Sequence, residues 1–439
     1  MNAPAKPAND PTPGQFWARA EVALVLVCLV FFSEGFIPRL VSPEKSPDGN
    51  PFLRQLWLPI YACALMLGAL NWQNMLRIAF RSPFLLLLTA MTVVSSLWSI
   101  DPAITFRRSI ALVCMTVFGM YLAARFTWPE VLRLLGWTWL FLCAANLIAG
   151  GLFPGFGVDH EIHVGAWIGF YWEKNALGGY MSRAAFLFLF LAIADKRHRK
   201  AWIAGAVLSV LLVLLSTSKT ALLAMFVGFA ALMAGIVMKR GAGMAIGTFW
   251  IAAVGAISAV LAVLLAPNVV FGLLGKDPSL TGRTDIWEAL MRSVSQHPFL
   301  GYGYGAFWGE HSAPAHWVRL AVHWEAPTAH NGWLEVLLAI GFVGLGLFLL
   351  NFFVVVVRSV ISSAYGWGGI FAVGFLVQFL LFSLTESVVL QQNAIVWLSY
   401  IVVAGRLAMD AYVRSTAHVR PAGPSLGRRP PKPRRTIEA

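Results

Sequence analysis

Charged residues are scarce in this chain. Asp, Glu, Lys and Arg make up 12% of its 439 residues, whereas hydrophobic residues make up 58%. A soluble globular domain carries about 25% charged residues, so the composition excludes an ordinary soluble protein and indicates one that crosses a membrane many times. Because a membrane-spanning helix needs about 20 mostly apolar residues, the length allows about a dozen spans.

Acidic residues are fewer than basic ones. The chain has 20 Asp and Glu against 33 Lys and Arg, which gives a formal net charge of +13. Most of the basic excess lies in short segments between apolar runs and in the tail after Arg406. Basic residues in such segments orient spans so that this side faces the cytoplasm. We therefore attribute the charge to membrane orientation and expect no nucleic-acid partner.

Cysteine is rare, and several common catalytic motifs are missing. The four cysteines all lie in apolar runs and are interpreted as small buried side chains: Cys28, Cys63, Cys114 and Cys143. The sequence contains no Walker loop, dinucleotide fingerprint, GxSxG elbow or HExxH motif. We therefore expect a protein that uses neither nucleotide, metal nor other cofactor.

The apolar runs predict an all-α polytopic membrane protein with about twelve transmembrane helices. The predicted spans are 20–37, 56–71, 83–99, 106–124, 131–150, 179–194, 201–216, 219–238, 245–266, 333–357, 367–385 and 389–408. The predicted organisation is a disordered cytoplasmic N-terminus (1–19), spans 1–9 (20–266), one large periplasmic loop (267–332), spans 10–12 (333–408) and a disordered basic cytoplasmic tail (409–439). An even number of spans places both termini in the cytoplasm, and every second connection is basic, as that orientation requires.

The large loop between spans 9 and 10 contains most of the unusual residues. At roughly 65 residues it is far longer than an ordinary connection, which suggests a functional role. Its polar and aromatic residues concentrate in three stretches, Thr281–Trp287, Gly301–Gly305 and Ala329–Glu335. We predict that chemistry takes place here, at the outer membrane surface.

Several cations lie on the outer side, where the orientation rule disfavours them. They are Arg107, Arg108, Lys174, Arg183, Lys219 and Arg283. An anionic ligand at that surface would explain them, and a lipid-linked phosphate or diphosphate is the obvious candidate because Arg and Lys bind phosphate oxygens. The alternative is that the long side chains reach the lipid headgroups.

Among the histidines, His330 is the candidate base. It precedes Asn331 and the start of an apolar helix, which would fix it at the membrane surface. Imidazole titrates near neutral pH and can accept a proton from a hydroxyl nucleophile. His160 and His163 have a spacing that metal sites use, but no third ligand follows, so we assign no metal there.

Two acids accompany His330. Glu335 lies about one turn further along and is predicted to orient a neighbouring donor, while Glu386 stands at the outer end of a late span. Acids at such positions are functional candidates by default. Because no ATP is available outside the cell, the donor must arrive already activated, as a sugar on a polyprenyl diphosphate does.

Five stretches together resemble the O-antigen ligase and polymerase superfamily. Three lie in the large loop and the helix after it: Thr281-Gly282-Arg283-Thr284-x-x-Trp287, His297-Pro298-x-x-Gly301-Tyr302-Gly303, and Ala329-His330-Asn331-x-x-Leu334 with Gly341 beyond. Two others resemble its exopolysaccharide-polymerase branch of the ExoQ type: Glu173-Lys174-Asn175-x-x-Gly178-Gly179 and Leu215-Ser216-Thr217-Ser218-Lys219-Thr220-Ala221.

The resemblance implies a GT-C-like glycosyltransferase of the bacterial inner membrane that is independent of metal and nucleotide. It would move a glycan from undecaprenyl diphosphate to an acceptor sugar hydroxyl with inversion. Arg283 and Lys219 would hold the departing diphosphate, with Lys174, Arg107 and Arg108 completing the cationic pocket, and His330 would act as base or position the acceptor. Asn331 and Glu335 would support it. The site would face the periplasm.

Three functions fit the resemblance. A polymerase of exopolysaccharide repeat units is favoured by the Lys174-Asn175 and Ser218-Lys219 stretches. A ligase that attaches O-antigen to lipid A core would use the same chemistry with another acceptor. A flippase for the lipid-linked sugar is the non-enzymatic alternative, which would place charges deep in several spans. Expected partners are the lipid-linked oligosaccharide, the acceptor glycan, a chain-length regulator and export machinery.

Overall fold

The computed structural model describes residues 13–42, 50–265 and 283–419, and within these ranges the secondary structure is helical apart from two isolated bridges. The helices are α1 (Pro13–Phe31), α2 (Phe36–Val41), α3 (Pro51–Leu70), α4 (Trp72–Ala79), α5 (Pro83–Val94), α6 (Pro102–Arg125), α7 (Trp128–Leu152), α8 (Pro154–Gly157), α9 (Lys174–Ala194), α10 (Arg199–Leu215), α11 (Lys219–Met238), α12 (Ala242–Leu265), α13 (Arg283–Gln296), α14 (Ala313–Val322), α15 (Gly332–Ser363), α16 (Trp367–Ser383) and α17 (Ile395–Val419). The all-α prediction is confirmed for these residues.

Long apolar helices confirm a protein that crosses the membrane several times. Among the described residues, 7 helices are long and apolar enough to span a membrane, or 8 if the bent pair α4 and α5 forms one span. A helix occupies each of the predicted span segments, but several of these helices are too short to satisfy that criterion, such as α10 and α16 with 17 residues each. The count of about twelve therefore stays a prediction.

The structure differs from the predicted organisation at two boundaries and within the large loop. α1 begins at Pro13, inside the segment predicted to be disordered, and α17 continues to Val419, past the predicted start of the tail at 409. The described part of the large loop is also more ordered than a long connection suggests, because it contains α13 and α14. Ile286 and Leu290 of α13 and Val318 of α14 are buried in a small apolar cluster that also includes Leu334, Leu337 and Leu338 of α15.

Aromatic side chains hold the centre of the bundle. Phe379 on α16 stacks on Tyr400 of α17 with ring centroids 4.9 Å apart, and Trp397 stacks on Tyr400 at 4.7 Å. The hydroxyl of Tyr400 accepts a hydrogen bond of 2.7 Å from Nδ2 of Asn351 on α15. Large buried rings with a satisfied polar atom bring these three helices into a fixed arrangement.

The two ends of the bundle differ in character. One end is basic: α6 finishes at Arg125, Arg358 donates to the carbonyl of Arg81, and Trp128 donates to Asp410. At the other end, helix starts and finishes meet the described part of the large loop. There Ser218 contacts Asn175, Trp333 donates to Ser383, and Ile100 donates its N–H to Tyr302. The candidate site lies at this second end.

Candidate functional site

The glycine-aromatic turn attaches the large loop to the bundle. The N–H of Tyr302 donates to the carbonyl of Leu338 at 2.7 Å, and the N–H of Gly303 donates to that of Ala339 at 3.0 Å. Gly303 has φ +96° and lies against Ser99, so a side chain there would overlap Ser99. Glycine is therefore required for this close approach, and the turn keeps the loop against α15.

α15 is broken where it meets this turn. Ile340 and Gly341 leave helical geometry, and Gly341 has φ +63°. The freed N–H of Phe342 donates to the carbonyl of Pro298 at 2.8 Å, and a Cβ on Gly341 would overlap the backbone of Phe299. The first turns of α15, which follow His330 in the chain, therefore have an orientation of their own.

Asn331 and Glu335 fix the backbone around His330. Oδ1 of Asn331 caps α15 by accepting from the N–H groups of Trp333 and Leu334 at 2.9 and 3.3 Å. Glu335 accepts a 2.7 Å hydrogen bond from the N–H of Ala329. These are the two residues that the sequence assigned a supporting role, and both hold the segment that carries His330.

Further contacts tie Glu335 and Ala329 to other parts of the protein. Glu335 also accepts from Oγ of Ser387 at 3.0 Å and from Nε1 of Trp308 at 3.1 Å. Nε1 of Trp287 donates to the carbonyl of Ala329 at 2.9 Å. The aromatic residues Trp287 and Trp308 thus have structural contacts within the loop, and His330 is held from both sides.

His330 adopts a backbone conformation that is unusual for a residue with a side chain. Its φ is +47°, in the left-handed region, where a non-glycine residue costs on the order of 1–3 kcal/mol. The capping and clamping contacts around it maintain this geometry. Such strain concentrates at functional sites, and here it directs the imidazole towards Glu386.

Glu386 joins His330 to Arg283. Its Oε1 lies 3.1 Å from Nη2 of Arg283, and its Oε2 lies 3.5 Å from Nδ1 of His330. The three side chains are largely buried, at 14% exposed for Arg283, 13% for His330 and 23% for Glu386. The two residues predicted to be catalytic, Arg283 and His330, therefore meet at one carboxylate. The residues that precede Arg283 in its motif, Thr281 and Gly282, lie outside the described residues.

Glu386 remains ionised despite its burial. Burial raises the pKa of this carboxyl, but the hydrogen bond with His330 and the positive charge of Arg283 outweigh burial, so the pKa lies below its ordinary value of 4.5. A charged carboxylate in this position can hold the imidazole with Nδ1 as donor. Nε2 is then the nitrogen that can accept a proton.

A cavity of about 130 Å³ opens beside His330 and Glu386. Most of its other lining side chains are polar or aromatic and come from distant parts of the chain, among them Glu34, Tyr171, Asn175, Tyr180, Arg183 and Gln391. Glu34 accepts hydrogen bonds from the Tyr180 hydroxyl and from Nε2 of Gln391. We call this space the inner cavity.

Lys174 and Lys219 stand at two helix starts that touch each other. Lys174 begins α9 and Lys219 begins α11, where Lys219 is exposed. Oγ of Ser218 donates to Oδ1 of Asn175 at 2.9 Å, which joins the two starts, and Asn175 lines the inner cavity. Neither Lys174 nor Lys219 is among the described residues that line this cavity, so their part in the site stays a prediction. Helix starts favour anions.

Arg108 belongs to a second cavity of about 280 Å³, which we call the outer cavity. Its Nη1 donates to the carbonyl of Gly305 at 2.7 Å, so it also supports the glycine-aromatic turn. The two cavities share the lining residues Thr328, Ser387 and Gln391. Arg107, half-buried in the same turn of α6, is absent from the described lining of both cavities.

Glu34 is a component of this site that the sequence analysis did not predict, although an acid inside an apolar N-terminal run is a signal in itself. Glu386 was predicted as a functional candidate, and the structure adds its pairing with both Arg283 and His330. In the described part of the chain, no group of three or more potential ligand side chains is arranged to hold a metal ion.

Two comparisons with known proteins find similar sequences. Residues 204–349 match the family model described as O-antigen ligase, a segment that includes Lys219, Arg283 and His330. The exopolysaccharide production protein ExoQ of Rhizobium meliloti (strain 1021) is 26% identical over 301 residues, which covers 66% of each chain. The match therefore spans just under two thirds of that relative. Over the matched residues the chain is similar to the O-antigen ligase family and to the exopolysaccharide production protein ExoQ.

Proposed function

We propose that this protein is an inverting membrane glycosyltransferase that polymerises exopolysaccharide repeat units. Its donor is a glycan on undecaprenyl diphosphate, and its acceptor is a sugar hydroxyl. The observation that carries the proposal is the contact of Glu386 with both His330 and Arg283, beside a cavity with polar and aromatic walls. One carboxylate thereby aligns a potential base with a cation for the leaving group.

The proposed step is a single displacement. The acceptor oxygen attacks the anomeric carbon, the bond from that carbon to the diphosphate oxygen breaks, and its electron pair leaves with the diphosphate. The acceptor proton passes to Nε2 of His330, while Glu386 stabilises the imidazolium that forms. General-base assistance of this kind contributes roughly 10²–10⁴-fold to the rate, and inversion follows because attack and departure occur on opposite faces.

The diphosphate is proposed to be held by Arg283, Lys219 and Lys174, with Arg107 and Arg108 on the α6 side. Diphosphate is already a good leaving group, so positioning and charge stabilisation are the main tasks of the protein. The reaction needs no metal or nucleotide, because these cations supply the positive charge.

The proposed orientation places the site at the periplasmic face of the bacterial inner membrane, with both termini in the cytoplasm. The basic end of the bundle, with Arg81, Arg125 and Arg358, supports this orientation because basic residues favour the cytoplasmic side. Proposed partners are the lipid-linked oligosaccharide, the growing glycan, a chain-length regulator and export machinery.

A ligase that transfers the glycan to lipid A core would use the same residues with another acceptor. The similarity to a protein named for exopolysaccharide production favours the polymerase. A deletion strain distinguishes the two functions: loss of secreted polysaccharide indicates a polymerase, whereas lipopolysaccharide without O-chain indicates a ligase. Incubating purified protein with a synthetic lipid-diphosphate donor tests for a transferase directly, since a flippase forms no glycosidic bond.

A further inference from the structure

Arg183 lies in the wall of the inner cavity and inside a membrane-spanning helix. It is the tenth residue of α9, about 13 Å along the axis from the start of that helix. Cations at such depth are costly and usually face a protein interior or a water-filled cavity. The catalytic scheme above does not use Arg183.

One edge of the Arg183 guanidinium makes no hydrogen bond to the residues that the structure describes. Nε and Nη2 are both buried, and neither has a hydrogen-bond partner among the residues that the structure describes. These two nitrogens form the side of the guanidinium that binds a carboxylate or phosphate through two parallel hydrogen bonds. A buried charged donor without a partner is destabilising, so this edge requires an explanation.

The position of the guanidinium is fixed by aromatic rings. Its central carbon lies 3.8 Å from the centroid of Phe382 and 5.7 Å from that of Tyr180. Stacking of this kind stabilises the cation but leaves the N–H groups in the guanidinium plane unsatisfied. The two rings therefore hold the guanidinium in a fixed position.

The nearby acids have other donors. Glu34 accepts from Tyr180 and Gln391, and Glu386 contacts Arg283 and His330. Both carboxylates line the same cavity as Arg183. They disfavour a ligand of high negative charge, but they can accept hydrogen bonds from hydroxyl groups.

We propose that Arg183 binds an oxyanion of the substrate through Nε–H and Nη2–H, at the wall of the inner cavity. Of two possible sources, the carboxylate of an acidic sugar fits the cavity better than the donor diphosphate, because its hydroxyls can donate to Glu34 and its ring can lie against Tyr171. This assignment to a sugar depends on the proposed glycosyltransferase function. The oxyanion subsite itself does not.

Titrations of the purified full-length protein in detergent test the subsite, with thermal unfolding as readout. The probes are sodium glucuronate, glucose as its uncharged counterpart, and inorganic pyrophosphate. Glucuronate should stabilise the wild type more than glucose does. Arg183→Gln should weaken that binding roughly ten- to a hundredfold, the range expected for hydrogen bonds to a charged group.

Arg183→Lys keeps the charge but not the two parallel N–H groups, so it should lose most of the stabilisation by glucuronate. This variant replaces Arg183→Gln in the test if the Gln variant does not fold. Arg39→Gln is the matched control. Arg39 also stacks on an aromatic ring, Phe156 at 4.6 Å, and has a buried nitrogen without a partner among the described residues, but it lines neither cavity. Its glucuronate binding should be unchanged.

If only the binding of pyrophosphate depends on Arg183, the subsite stands and is assigned to the donor diphosphate. If no probe depends on Arg183, or if Arg39→Gln weakens binding equally, the subsite is refuted. The proposed function is separable from this result, because the titrations contain no lipid-linked donor, whereas glycosyl transfer from that donor is measured in a separate assay.

Discussion

Oε2 of Glu386 lies 3.5 Å from Nδ1 of His330, while its other oxygen lies 3.1 Å from Nη2 of Arg283. The distance to His330 is at the long end of the range for a hydrogen bond, whereas the contact with Arg283 is of ordinary length. One acid from the segment after α16 thus sets the orientation of a histidine and an arginine from the large loop.

Removing the charge of Glu386 should reduce catalysis more than stability. Glu386→Gln keeps the shape but no longer stabilises an imidazolium, so we expect a fall in kcat of about 10²–10⁴-fold, comparable to the loss of general-base assistance. Rate measurements on purified protein with a synthetic lipid-diphosphate donor would show it. Glu310→Gln, at an exposed acid of the large loop, is the control and should be neutral. A normal kcat in the Glu386→Gln variant would exclude the orienting role.

The ion pair also makes stability depend on acidity. Because the pKa of Glu386 lies below its ordinary value of 4.5, its ionised form stabilises the folded protein. That contribution is complete above the ordinary value and is lost as the pH falls through the lowered one. The stability difference between wild type and Glu386→Gln should therefore be constant from about pH 6 to 7 and shrink below about pH 4.5. Thermal unfolding across this range measures it, and a difference that grows on acidification would contradict the assignment.

Arg283 should be essential for polymer formation in cells. Arg283→Ala removes the proposed leaving-group cation and leaves Glu386 with one partner fewer, so we expect no polymer while the protein stays in the membrane. The matched control is Arg292→Ala, because Arg292 lies on the same helix, is 76% exposed and pairs only locally with Glu288. Polysaccharide yield at matched protein level is the measurement. Normal polymer from the Arg283→Ala protein would remove this arginine from the mechanism.

The kink of α15 should be sensitive to a single methyl group. Gly341→Ala places a Cβ at φ +63° against the backbone of Phe299, and we expect a loss of at least about 1–3 kcal/mol in unfolding free energy. Gly346→Ala, on the same helix, meets no atom within 4 Å and should be neutral or slightly stabilising. Equal stability of the two variants would show that the kink carries no strain.

Part of this architecture could be predicted from the sequence, because apolar runs indicate the membrane spans and basic connections indicate their orientation. His330 and Asn331 were identified because they precede an apolar helix, and Glu335 because it lies in the first turn of that helix. The role of Glu386 could not be deduced, since 56 residues separate it from His330 and only the fold brings them into contact.

The inner cavity could not be predicted from the sequence either. Glu34 follows α1 by three residues and accepts a hydrogen bond from Gln391, which is 357 positions away in the sequence. Hydropathy identifies the helix but not the residue that the helix end presents to a distant cavity. The ends of α1 and α17 were misplaced for a related reason, because helices continue past the apolar segment by which they are recognised.

The rate of glycosyl transfer by the His330→Ala variant is the measurement that tests the central claim most directly. The purified variant should bind the lipid-diphosphate donor but form glycosidic bonds at least about 10²-fold more slowly than wild type. His323→Ala is the control, because His323 is an exposed histidine of the same loop that also has a left-handed backbone, with φ +59°. It should transfer at the normal rate. Wild-type transfer by the His330→Ala protein would contradict the account.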